Sequence, residues 1–135
     1  MSMMVETFIP ANTPTPIGPY SHIAKAGPLL MIGGTAGFDP ATNQLRGTDI
    51  ATQTTQILAN FAAMLATVDS DLRHVLHITV FLMEMSDFAA MNEAYSAAMG
   101  DHRPARTVVG VQALPKPGVL VTMNLTAVTS TGWGG

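Results

Sequence analysis

His74-Val75-Leu76-His77-Ile78-Thr79-Val80-Phe81-Leu82-Met83 decides the fold of this 135-residue chain. Leu76, Ile78, Val80 and Leu82 alternate with His77, Thr79, Phe81 and Met83, and both sets are largely apolar or β-branched. A strand of that kind sits centrally in a sheet and is covered on both faces. Upstream, Asp49 is placed to cap a helix from Ile50 to about Thr67. Ile50, Ile57, Phe61, Leu65 and Val68 form its apolar stripe, with Gln53, Gln56, Asn60 and Ala63 off it. Downstream, Ser86 is read as the cap of a second helix. Phe88, Met91, Tyr95 and Met99 lie on one face of that helix, and Gly100 ends it.

The rest of the chain reads as strands. Val5 to Ile9 forms a short one that Pro10 stops, and Ala11 to Pro19 is a proline-rich loop. Tyr20–Ala26 and Leu29–Ile32 flank Gly27-Pro28 as a hairpin, and the glycines from Gly33 to Gly37 mark a bend at a strand end. A strand begins at Ala105-Arg106. After the turn at Leu114-Pro115-Lys116-Pro117-Gly118, the last strand runs from Val119 to Val128. It puts Val119, Val121, Met123, Leu125 and Ala127 on one face and Leu120, Thr122, Asn124, Thr126 and Val128 on the other. The order predicts an α+β fold, with two helices on one face of a mixed sheet. One domain, 1–135, is expected, with flexible ends at 1–4 and 129–135; Trp133 falls in the second of these.

Composition narrows the function. Charged residues are 11% of the chain, against about 25% in an ordinary soluble protein. A surface so poor in charge implies self-association. A net charge of −3 and few aromatics make nucleic acid an unpromising partner. With no cysteine there is no disulfide framework or thiolate nucleophile, and no secretory or membrane-spanning segment is expected, which fits the cytoplasm. Gly33-Gly34-Thr35-Ala36-Gly37 matches neither a dinucleotide-binding nor a P-loop pattern. His74 and His77 enter a strand pointing to opposite faces, so no metal site is expected of them.

Arg106 carries the chemistry. It is one of only 6 Lys and Arg residues, and it stands at the mouth of the apolar run Thr107-Val108-Val109. A guanidinium there offers a planar fork of donors to a carboxylate, or else it forms a salt bridge at a strand end. His22 can line the same cleft as a base, or sit on a polar rim. Asp101-His102 reads as a solvated loop, or else His102, close to Arg106 in sequence, reaches the cleft.

Between Ile9 and Ala127 the chain resembles the RidA/YjgF family of imine/enamine deaminases. The blocks that carry the resemblance are Ile17-Gly18-Pro19-Tyr20-Ser21, Gly33-Gly34, Asp87-Phe88 with Asn92 and Tyr95, Pro104-Ala105-Arg106, and Leu114-Pro115-Lys116. The resemblance implies a chorismate-mutase-like α+β fold and a homotrimer whose sheets form a central barrel, with clefts between subunits. It implies hydrolysis of 2-aminoacrylate, 2-iminopropanoate, 2-iminobutanoate or a related intermediate to a 2-keto acid and ammonia, without metal or cofactor. Arg106 then binds the substrate carboxylate, the backbone at Gly34 assists, Tyr20 lines the cleft, and Gly33, where relatives often carry serine, is a further substrate-binding position; Phe88 and Val108 are further candidate walls. One departure matters. The glutamate that such relatives carry on the last strand aligns with Asn124, and no Asp or Glu follows Asp101. Asn124 can position a water but cannot take its proton, so the expected activity is weakened or redirected. The rival expectation is a non-catalytic module that holds a 2-keto acid in the same cleft.

Overall fold

The computed structural model describes residues 4–132, so Trp133 lies outside the described residues. Its main sheet has six strands, β1 Glu6–Phe8, β2 Ile23–Ala26, β3 Leu29–Thr35, β6 Val75–Leu82, β7 Ala105–Gly110 and β8 Val121–Val128. Their spatial order is β1-β2-β3-β8-β6-β7. All neighbours run antiparallel except β6 and β7. A parallel pair needs a long crossover, and helix α2, Phe88–Met99, supplies it. A small hairpin, β4 Phe38–Asp39 with β5 Gln44–Leu45, stands apart from the main sheet.

Helix α1, Ile50–Ala66, starts where Asp49 accepts a hydrogen bond from the Thr52 backbone amide. It packs against α2, and both helices cover one face of the sheet. Ile78, Val80, Leu82, Val121, Met123 and Leu125 meet Ile57, Phe61, Met64, Leu65 and Met91 there, all essentially without solvent contact. The α+β layering and the two helices on one face match the sequence expectation.

Several local expectations are corrected. β6 is central, but only one of its faces is covered within the chain: His77, Thr79 and Phe81 remain partly open. Leu76 is exposed rather than in the core. Val75 pairs with Ala127 and His77 with Thr126, so Leu76 is the extra residue of a β-bulge and is turned outward. Ser86 does not cap α2. The chain enters that helix through a 3-10 turn, Met85–Asp87, whose Asp87 and Phe88 amides already donate to Glu84 and Met85 carbonyls. The segment from Tyr20 to His22 is not strand, and Gly33-Gly34 is not a strand end. Ile32 pairs with Leu125 and Thr35 with Met123, so the two glycines form a bulge within β3 opposite Asn124.

Gln53 and Asn60 do not face water either; both are buried. The Gln53 side-chain amide donates to the Gly47 and Gly118 carbonyls and accepts from the Leu120 backbone amide. Asn60 donates to the Phe38 carbonyl at 2.9 Å. The polar residues of α1 thus satisfy loop backbone that would otherwise be buried unpaired. At the C-terminal end, the Thr129 and Ser130 amides donate to the Pro28 and Asp69 carbonyls.

Candidate functional site

Arg106 lies on β7, an edge strand of the sheet. It pairs in register with the core residue Ile78, so it points to the helix-covered side. Its guanidinium carbon lies 4.8 Å from the centre of the Tyr95 ring and 5.9 Å from that of Phe88, both on α2. Aromatic faces hold a guanidinium through the ring quadrupole while leaving its in-plane donors free. Among the described residues no carboxylate lies within salt-bridge reach of Arg106. Among the described residues its guanidinium makes a weak polar contact, to Met91 Sδ at 4.0 Å.

Two polar atoms nearby on α2, Asn92 Oδ1 and Tyr95 Oη, are buried without a hydrogen-bond partner. Burial raises the Tyr95 pKa from its ordinary value, with the positive charges of Arg106 and Arg103 pulling the other way. The phenol is therefore held neutral. Val108 follows Arg106 on the same side of β7 and packs against the core, and Phe88 is 38% exposed.

A second group of residues lines a hollow of about 140 Å³ at the far end of β3 and β8. Tyr20, His22, Gly34, Thr35, Lys116 and Thr122 meet there. The loop that supplies Tyr20 is pinned by the small hairpin: Asn43 accepts from the Thr15 amide and donates to the Thr15 hydroxyl. The Ile17 amide donates to the Tyr20 hydroxyl oxygen. Lys116 Nζ stands 5.6 Å from the centre of the Phe38 ring and has no carboxylate partner among the described residues. A neighbouring groove of about 340 Å³ is lined by Ser21, His22, Gly33, Asn124 and Thr126, among others.

The residues singled out in the sequence thus fall into three sets. Arg106, Phe88 and Val108 sit at the β7 edge. Tyr20, His22 and Gly34 share the hollow. Gly33 and Asn124 share the groove, which His22 also lines. Within one chain Arg106 and Asn124 are on opposite faces of the sheet, because Asn124 pairs with Thr79, and Thr79 with Thr107. Arg106 and Gly34 are separated by three strand spacings, about 14 Å of sheet. No small acid could touch both in a single copy.

Thr122 and Lys116 were not expected in the site. Thr122 shares the Asn124 face of the last strand, and that alternation was the signal that could have placed it. His22 is 6% exposed and is therefore not a rim residue. His74 instead binds Asp71 at 2.7 Å, His77 meets the Thr107 hydroxyl, and His102 meets the Val75 carbonyl. Bonding to His74 holds the Asp71 carboxyl below its usual value.

The model of the family described as Endoribonuclease L-PSP matches residues 10–129. A RutC family protein of Pyrococcus horikoshii is 44% identical over 113 residues, covering 84% of this chain and 90% of its own. A 2-iminobutanoate/2-iminopropanoate deaminase of Capra hircus is 35% identical over 119 residues, 87% of each chain. The crystal structure of RidA from the Antarctic bacterium Psychrobacter sp. superposes with a TM-score of 0.86 at 34% identity, covering 91% of this chain and 98% of that one.

Proposed function

From the premise that this chain belongs to the Endoribonuclease L-PSP family, the RidA/YjgF group, we propose that it hydrolyses reactive 2-imino and enamino acids to 2-keto acids and ammonia. The candidate substrates are 2-aminoacrylate, 2-iminopropanoate, 2-iminobutanoate or a close relative. The observation that carries this reading is the Arg106 guanidinium, seated on two rings with no carboxylate partner among the described residues.

In this reading Arg106 grips the substrate carboxylate through paired N–H donors. The Tyr20, Gly34 and Thr122 hollow belongs to a neighbouring copy and receives the rest of the molecule. The separation of Arg106 from that hollow supports a cleft shared between copies, and so does the half-open sheet face bearing Thr79, Asn124 and Thr126. A homotrimer with its sheets around a central barrel supplies such clefts. Fixing the imine carbon beside an aligned water removes much of the entropic barrier. Asn124 Oδ1 accepts from that water and aims it.

The test generates 2-iminobutanoate in situ and follows keto acid and ammonia. Wild type should accelerate hydrolysis over buffer, and Arg106→Ala should lose most of that acceleration. Equal rates with and without wild-type protein would refute the reading. A second reading, a module that binds 2-keto acids without turnover, is favoured by one observation: among the described residues no Asp or Glu lines the hollow or the groove. Calorimetric binding of 2-ketobutyrate without any imine hydrolysis would select it.

A further inference from the structure

We infer that His22 is the general base of the reaction, standing where the last strand offers no carboxylate; this rests on the imine-hydrolase reading above. The hollow and the groove have one lining residue in common, and it is His22. The other titratable residues among their linings are Tyr20 and Lys116. Among the described lining residues, the imidazole is the side chain whose neutral form carries a bare basic nitrogen, the kind of atom that takes a proton from water.

The geometry also selects which nitrogen does so. His22 Nε2 lies 2.5 Å from the Pro14 carbonyl oxygen. A carbonyl only accepts, so Nε2 carries the hydrogen, and the neutral ring presents a bare Nδ1. Nδ1 has no partner among the described residues, and it is not among the buried side-chain atoms sealed without one. The ring is held in place by burial and by an edge contact with Tyr20 at 6.1 Å. Its backbone carbonyl accepts from the Gly33 amide, which fixes it beside the bulge that faces Asn124. Holding one ring nitrogen on a carbonyl and freeing the other is how an imidazole is oriented for proton transfer. The remaining histidines line neither cavity.

The proton balance is simple. As water oxygen bonds to the iminium carbon, the C=N π pair moves to nitrogen and Nδ1 takes a water proton, leaving a neutral carbinolamine. The imidazolium then returns that proton to the amino group. The C–N bond breaks, the C=O bond forms, and the departing ammonia takes the hydroxyl proton to leave as ammonium. Iminium acid plus water becomes keto acid plus ammonium, with no oxidant or cofactor.

His22→Gln keeps an N–H for the Pro14 carbonyl but has no basic nitrogen. Its kcat for 2-iminobutanoate should fall about 10²–10⁴-fold with KM little changed. His22→Ala should regain turnover on adding imidazole, whereas Arg106→Ala should not. If wild type accelerates hydrolysis and His22→Gln keeps its kcat within a few-fold, the assignment is overturned while the hydrolase reading stands. If wild type gives no acceleration, both fall. Should the variants lose the native melting transition, diethyl pyrocarbonate on wild type decides. Inactivation that tracks modification of His22 and is blocked by 2-ketobutyrate supports the assignment, and full activity with His22 modified overturns it.

Discussion

Gln53→Leu should loosen the wall of the candidate site from behind. The Gln53 side chain is fully buried and makes three hydrogen bonds, to Gly47 O at 3.0 Å, to Gly118 O at 2.9 Å and from Leu120 N at 2.9 Å. Leucine has a similar volume, so the loss is polar rather than a cavity. The two carbonyls are near enough to the surface to find water, and about 0.5–1.5 kcal/mol each is lost. The Leu120 amide is left without its acceptor, which costs about 1–3 kcal/mol. The apolar gain from leucine offsets part of this, and the net expectation is about 2–4 kcal/mol. Urea denaturation at fixed protein concentration measures it, with exposed Thr55→Ala as a control expected within about 0.5 kcal/mol of wild type. The Gly118–Leu120 segment follows Lys116 and leads into Thr122, so KM should rise as well. A loss below about 1 kcal/mol with an unchanged denaturant slope would refute the claim that this amide holds the loop.

Three further outcomes follow from the same geometry. Tyr95→Phe removes a buried hydroxyl that has no partner, so stability at pH 7 should hold or rise. The raised Tyr95 pKa means the folded state keeps its proton above pH 10 while the unfolded chain loses it, so stability falls as pH rises past 10. Tyr95→Phe should flatten that alkaline limb in pH-dependent thermal melts. Gly37→Ala would put a Cβ 2.8 Å from the Gln53 carbonyl oxygen and should cost about 1–3 kcal/mol or more in urea titrations. Gly34→Ala meets nothing within 4 Å among the described residues and should leave the isolated fold unaffected, so any loss of assembly or turnover reports on a neighbour or ligand.

How much of this was legible in the sequence differs by element. The α1 stripe was readable because Ile57, Phe61 and Leu65 are apolar and regularly spaced. Gln53 and Asn60 were misplaced because periodicity assigns polar side chains to water, whereas these two face loop carbonyls. Leu76 was misplaced because one bulge residue shifts the alternation that preceded it. The β4–β5 hairpin left no signal, since two-residue strands show no period. At the site, a lone cation entering an apolar strand made Arg106 visible. Its face and its distance from Gly34 depend on strand order, which spacing along the chain does not encode. Lys116 looked like turn punctuation, and it joins Tyr20 and His22 only through the folded position of the 114–118 turn.

The most direct test mixes two variants, each expected to be inactive alone: Arg106→Ala, which lacks the anchor, and Gly34→Trp, which fills the hollow. After subunit exchange, a cleft that takes its arginine from one copy and its hollow from the next is intact in about one case in four. The mixture should then recover roughly a quarter of wild-type imine hydrolysis. Exchanged subunits that stay as inactive as either variant alone would contradict a shared cleft anchored by Arg106.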